Sequence, residues 1–277
     1  MDKELETTLR HALQTEGKDI VGSNVINSRQ MCTGSFITKL PGICSGYDIV
    51  SNLYGLVNTD IELLPLKEEG AYVNKGDALI SIKGKLQDVL RAGRIAASIL
   101  DIMGSIAYNT SKYVEEVQGL KCEIVANYKI LPGLYNFSKQ AIESVGGKIY
   151  EYNLFDYAYI NEMHHMSYES ITDCVNSFRK RNKDTFIEIE VRNIDEYNEA
   201  LSLNVNRIRL VGIDIDDLHD YLIIPHKDCK IGYSGNISIG KVRMIAKKGI
   251  DYIIIDDLGI SVKPMGVYLK IYKRSYK

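Results

Sequence analysis

The stretch FIEIEVRNIDEYNEALSLNVNRIRLV, residues 186–211, reads as a strand, a helix and a second strand in succession. Residues 186–191 and 207–211 are short apolar-rich runs, and 194–203 carries apolar residues at helical spacing between them. Outward from this unit the rhythm repeats. Residues 122–126, 157–161, 230–233 and 252–255 are further strand candidates, and 135–145, 168–181, 214–221 and 239–248 are helical. Ile253, Ile254 and Ile255 form the continuous apolar run expected of a strand covered on both faces. Strands alternating with helices at this spacing predict a parallel β/α sheet or barrel. Six such units, with a short strand near 149–153, are too few for an eight-fold barrel and suit an incomplete one.

The first third has a different pattern. Residues 4–15 place Leu5, Leu9, Ala12 and Leu13 on one helical stripe, 31–38 reads as a strand, and 46–56 as an amphipathic helix. Residues 60–66, 71–73 and 78–83 alternate like short antiparallel strands, parted by turn signals at Glu69-Gly70 and Lys75-Gly76-Asp77. A long helix over 87–118 follows. The end of the chain, 267–272, alternates like a strand with no helix after it, and is expected to return to the N-terminal unit. The predicted organisation is an N-terminal mixed α/β sandwich domain (1–118), a β/α barrel domain (119–265) and the returning strand (266–277).

Composition narrows the class. Of 277 residues, 45% are hydrophobic and 25% charged, enough apolar material for a sizeable core. Net charge is −2 with Lys and Arg spread along the chain, which gives no support to a nucleic-acid or anionic-membrane role. No apolar run approaches the ~20 residues that span a bilayer. The charged N-terminus lacks the apolar centre of a signal peptide. Five cysteines are scattered without a CxxC pair, which reads as reduced thiols in a cytoplasmic protein.

In parallel β/α folds ligands bind at the C-terminal ends of the strands. The segments there are Asn127-Tyr128-Lys129, Asn161-Glu162-Met163-His164, Glu190-Val191-Arg192, Val211-Gly212, Ser234-Gly235-Asn236 and Asp256-Asp257-Leu258. Lys129 reads as a pocket cation or as a loop lysine. Glu190 reads as a site carboxylate or as the partner of Arg192 or Arg209. Ser234-Gly235-Asn236 suits an anion nest, and equally the start of a helix. Tyr128 and Tyr150 offer stacking faces for a ring, or packing. Asp256-Asp257 suits a cation, a hydroxylated ligand or a solvated loop. His164-His165 lacks the i, i+4 spacing of helix-borne zinc ligands, so no metal site is expected.

Several motifs together carry a family resemblance. They are Glu69 to Asp77, then Gly93-Arg94 with Ala97-Ser98 and Gly104-Ser105-Ile106-Ala107, and Ala126-Asn127-Tyr128-Lys129-Ile130-Leu131-Pro132-Gly133-Leu134 followed by Lys139. Gly146-Gly147-Lys148-Ile149-Tyr150-Glu151, Ile160 to His164, Ile187 to Val191 and Ser234-Gly235-Asn236-Ile237 continue the order. The chain resembles the quinolinate phosphoribosyltransferase family over nearly its whole length. That family joins a pyridine dicarboxylate to the ribose of phosphoribosyl pyrophosphate and decarboxylates the product, in a pocket lined with Arg, Lys and His.

The resemblance implies Lys129 and Glu190 as catalytic residues, with Arg94, Tyr128, Lys139, Tyr150, Asn161, His164, Ser234, Gly235 and Asn236 at substrate-binding positions. It also implies a homodimer with a shared site, in which Arg94 reaches the partner's pocket. No cofactor is required, apart from magnesium if a phosphorylated donor is used. The chain departs from the family pattern at several of these places. Tyr128 stands for an arginine, Tyr150-Glu151 for His-Arg, Asn161 for a lysine, Glu162 and Val211 each for an aspartate, and Asp256-Asp257 for Gly-Ala. These changes predict a neutral to acidic pocket, with Glu190, Glu162 and Asp256-Asp257 around a lone Lys129. Three functions follow: phosphoribosyl-type transfer to a small ring substrate with changed specificity, a non-catalytic relative kept for ligand binding or assembly, and ordinary carboxylating nicotinate-nucleotide pyrophosphorylase activity.

Overall fold

Leu9 and Leu13 form the buried stripe of the first helix, α1 (Lys3–Glu16), with Glu4 and Glu6 at its N-terminal turn, where the helix dipole favours acids. The computed structural model of the chain describes residues 3–150, 154–155, 157–226, 228–260 and 263–276. By its contacts the chain forms two units, Met1–Thr110 with Ile130–Val145 and Gly259–Lys277, and Ser111–Lys129 with Gly146–Leu258.

The first unit continues through α2 (Ile20–Val25), β1 (Gln30–Ile37), β2 (Gly42–Ile43), α3 (Tyr47–Val57), β3 (Glu62–Pro65), β4 (Tyr72–Val73), β5 (Ala78–Lys85) and most of α4 (Leu86–Glu116). Two of these, α2 and β2, have no counterpart in the sequence reading. The first is a single short helix capped by Asp19, whose carboxylate accepts from the Gly22 amide at 2.8 Å. The second is a two-residue strand paired with β4, so β4 does not join β3 and β5 in one meander.

In chain order the remaining elements are β6 (Glu123–Ala126), α5 (Tyr135–Glu143), β7 (Lys148–Ile149), β8 (Ala158–Ile160), α6 (Glu162–His165) and α7 (Ile171–Arg179). They continue with β9 (Ile187–Val191), α8 (Ile194–Ser202), β10 (Arg207–Val211), α9 (Leu218–Leu222), β11 (Lys230–Ser234), α10 (Ile239–Lys247), β12 (Tyr252–Ile255) and β13 (Tyr268–Tyr276). The last strand does return: β13 pairs antiparallel with β1 at one edge of the sheet β13-β1-β5-β3. Just before it, the buried side chain of Met265 fills the space left by Gly42 and Gly104, where an added Cβ at either glycine would run into the thioether.

The second unit is a seven-stranded parallel sheet in the order β7-β6-β12-β11-β10-β9-β8. Its strands are short because each β/α step needs only a few residues to cross the sheet. Ile187, Ile189 and Val191 alternate with Glu188 and Glu190 along β9, and all five are buried. The sheet is a curled, incomplete barrel, and its concave face is polar. Parallel register sets Glu188 beside Arg207, Glu190 beside Arg209, and Gly232 beside both Arg209 and Tyr252.

Candidate binding site at the strand ends

Asn127 and Lys129 leave the end of β6 beside Asp256, the residue after β12, because those two strands are neighbours. One Asp256 oxygen accepts from Asn127 Nδ2 at 2.6 Å, and the other accepts from Lys129 Nζ at 2.6 Å. Burial pushes the Asp256 carboxyl up, but the hydrogen bonds from Lys129 and Asn127 outweigh that and hold it below its ordinary value. The same bond and charge raise Lys129. Tyr128 between them is 60% exposed, so its ring is open to solvent or to a ligand.

At the end of β9 a second cluster gathers. Arg192 donates from Nε at 3.2 Å and from a terminal nitrogen at 2.9 Å to one oxygen of Glu190, and the same terminal nitrogen lies 2.9 Å from Glu162. The other oxygen of Glu190 accepts from the Tyr159 hydroxyl at 2.8 Å. Of the two partners left open by the sequence, Glu190 thus takes Arg192. The lone lysine expected in this region is a misreading for the same reason, since Arg192 is a second, half-exposed cation at the strand ends. Asn161 and His164 form a capping box around α6, with the Asn161 side chain accepting from the His164 amide and the His164 ring accepting from the Asn161 amide. Local chain geometry occupies both side chains.

Beneath these residues the barrel interior is an ionic layer. Buried Arg209 donates from Nε to Glu188 at 2.6 Å, and the Tyr252 hydroxyl donates to the same oxygen at 3.0 Å. Tyr252 reaches Glu188 from three strands away by crossing Gly232, where an added Cβ would run into its ring. Burial works against the Arg209 charge, and Glu188 more than restores it, leaving the guanidinium above its ordinary range. The Arg207 guanidinium lies 3.6 Å from the centroid of the Tyr150 ring, with Phe186 and Tyr252 rings at 4.9 and 5.5 Å. The Tyr150 hydroxyl donates to Glu123. Of the two readings left open for Tyr150, stacking or packing, these contacts favour packing, since Arg207 covers one face and Tyr252 meets the ring edge-on.

Ser234 and Gly235 are half-buried at the end of β11, and Asn236 is exposed. The helix that follows starts only at Ile239, after Ser238 at the capping position, so the Ser-Gly-Asn turn is not the helix start. Arg94 and Lys139 belong to the other unit. Arg94 is 87% exposed along its side chain and pairs with Glu16 at 3.1 Å. Glu151 lies outside the described residues. Among the described residues no three His, Cys, Asp or Glu side chains converge as a metal-holding group, and no helix is long and apolar enough to cross a membrane. Sequence reasoning missed Glu188 and Arg207 as parts of the site's frame. The alternation of Arg207, Arg209 and Val211 on β10 was the available signal.

Comparison with known proteins covers both units. The family description "Quinolinate phosphoribosyl transferase, N-terminal domain" matches residues 19–103, and its C-terminal counterpart matches residues 106–270. The nicotinate-nucleotide pyrophosphorylase [carboxylating] of Mycobacterium leprae is 25% identical, covering 95% of this chain and 96% of that protein. A probable enzyme of the same name from Bacillus subtilis is 22% identical, covering 97% and 93%. Among solved structures, a nicotinate-nucleotide pyrophosphorylase from Ehrlichia chaffeensis is 27% identical with a TM-score of 0.88, covering 97% of each chain. NadC from Streptococcus pyogenes is 21% identical with a TM-score of 0.91, covering 99% of this chain and 97% of that one.

Proposed function

Since this chain belongs to the quinolinate phosphoribosyltransferase family, we propose that it transfers a phosphoribosyl-type group to a small ring acceptor less anionic than a pyridine dicarboxylate. The observation that carries this is the 2.6 Å ion pair of Lys129 with Asp256. A dianionic ligand needs cations that are free to meet it, and a carboxylate held beside such a ligand opposes binding even at an effective dielectric of ~20. Arg192 is committed in the same way to Glu190 and Glu162. A ring with hydroxyl or amine substituents suits this mouth better, with exposed Tyr128 as its stacking face.

In this reading Lys129 and Glu190 do the chemistry at the strand ends, and Ser234 and Gly235 meet the ligand from β11. Asn161 and His164 shape the neighbouring loop. Arg94 and Lys139 keep the ligand-binding positions that the family resemblance implies, with Arg94 supplied across a homodimer.

The names of the relatives favour a second reading, ordinary carboxylating nicotinate-nucleotide pyrophosphorylase activity, since the match to the Mycobacterium leprae enzyme runs over 276 residues. It requires Asp256 to release Lys129 when the donor binds. One assay separates the two. With quinolinate, phosphoribosyl pyrophosphate and magnesium, the first reading expects no nicotinate mononucleotide above background. Turnover at ~1 s⁻¹ or more, an ordinary enzymatic rate, would establish the second.

A further inference from the structure

Glu190 is fixed from both sides, and the two sides differ in kind. Arg192 holds one oxygen from the half-exposed mouth, by two nitrogens of one guanidinium. The Tyr159 hydroxyl holds the other oxygen from below at 2.8 Å. The ring of Tyr159 is itself held, because the Arg209 guanidinium lies 4.1 Å from its centroid. Arg209 cannot wander, being buried and bonded to Glu188 at 2.6 Å, and Glu188 is locked in turn by Tyr252 at 3.0 Å. The chain Tyr252–Glu188–Arg209–Tyr159–Glu190 thus runs from the dry interior of the sheet to the carboxylate at its rim.

We propose that Tyr159 is a positioning residue for Glu190, with buried Arg209 as its buttress. The physical reason is that an arginine at a half-exposed rim exchanges partners easily. Arg192 already divides itself between Glu190 and Glu162. A single neutral donor on a ring clamped from the interior is the less mobile of the two supports. It selects one carboxylate orientation and leaves Arg192 to follow, as supporting hydrogen bonds do for groups that must be held in place. The inference rests on the reading of Glu190 as a site carboxylate.

The test uses the full chain and two separate measurements. In protein labelled with ¹⁵N at arginine, the Nε–H of Arg192, assigned with an Arg192→Lys variant, reports its bond to Glu190. Tyr159→Phe keeps the ring and its contact with Arg209 and removes only the hydroxyl. If Tyr159 positions Glu190, the Arg192 Nε–H should exchange with solvent at least about fivefold faster in Tyr159→Phe, and its resonance should move toward that of Glu190→Gln. An exchange rate and resonance unchanged from the parent would overturn the proposal. A 3-fluorotyrosine at position 159, which retains the hydroxyl, should restore the parent behaviour, and failure to do so would assign the effect to packing instead. Pyrophosphate binding to Glu190→Gln, followed by calorimetry, tests the underlying site reading. Tightening of at least about threefold is expected when the carboxylate charge is removed. No change there, with the arginine signal still moving in Tyr159→Phe, would remove Glu190 from the ligand site and end its role as a site carboxylate, while the Tyr159 tie itself would stand.

Discussion

Tyr252 lies across Gly232, and that is how its hydroxyl reaches Glu188 on a strand three places along the sheet. The ring occupies the space a side chain on β11 would fill. The carboxylate oxygen that Arg209 meets therefore gains a second, neutral donor. Gly232→Ala should displace the ring and weaken the bond to Glu188. Overpacking of this kind costs about 1–3 kcal/mol. Gly240, on α10 with open space around its Cβ position, is the control, and Gly240→Ala should leave the urea midpoint unchanged or slightly raised.

The pair Lys129–Asp256 gives a pH prediction with a definite sign. Asp256 sits below its ordinary value, so its contribution to stability is fully present above about pH 4 and is lost as pH falls through the lowered folded value. Lys129 is raised, so its share is present below its ordinary value and is lost only as pH climbs through the folded one. Both side chains are 44% exposed, so solvent screening keeps the pair's contribution small. Urea denaturation of the parent and of Asp256→Asn should show the parent slightly more stable near neutral pH. The difference should close in acid.

Restoring charge at the mouth should restore affinity for anions. Tyr128→Arg with Asp256→Gly adds one cation and releases Lys129 from its carboxylate. Pyrophosphate affinity by calorimetry should rise at least about tenfold, or ~1.4 kcal/mol. Adding Glu151→Arg should raise it further. Low-micromolar binding of phosphoribosyl pyrophosphate by the unaltered chain would contradict the expected pocket sign.

Gly104 predicts a cost that helix propensity alone would misjudge. Alanine in a helix interior ordinarily gains up to about 1 kcal/mol over glycine. At this position the new Cβ would strike the buried Met265 thioether and the Ile43 carbonyl. Gly104→Ala should therefore lower stability, and trimming the methionine in a Gly104→Ala, Met265→Ala double variant should recover part of the loss.

A homodimer is the remaining expectation to check. Sedimentation at micromolar concentration should find a dimer, and a symmetric interface of about 1,000 Å² or more should accompany it. Arg94→Ala should leave the fold intact, since the side chain is mostly in solvent and its pair with Glu16 is exposed.

Most of the backbone plan is legible in local sequence. The β/α alternation after residue 121 and a returning strand over 267–272, which the structure extends to Tyr268–Tyr276, follow from periodicity and turn residues. The short strand expected near 149–153 lies at Lys148–Ile149, and residues 151–153 are outside the described ones. What local pattern could not supply was the destination of the polar residues on the inner strands. Ile-Glu-Ile-Glu-Val reads as one apolar and one solvated face, and only the curl of the sheet makes the second face an interior. Glu188 and Arg209 were hidden for that reason. Lys129 and Asp256 are far apart in sequence, and their 2.6 Å contact depends on β6 and β12 being neighbours. The two-residue β2 was invisible because so short a strand has no period to detect.

The pairing of β13 with β1 has a consequence for biogenesis. During synthesis the antiparallel sheet stays unfinished until Tyr268–Tyr276 has left the ribosome, while the parallel sheet has all seven of its strands by Ile255. The earlier-made sheet must therefore wait with β1 as an open edge, a template for unwanted strand addition. A stop codon at position 268 would make that transient hazard permanent. Such a truncation is expected to fail by aggregating through its first unit, even with every residue of the strand-end site still encoded.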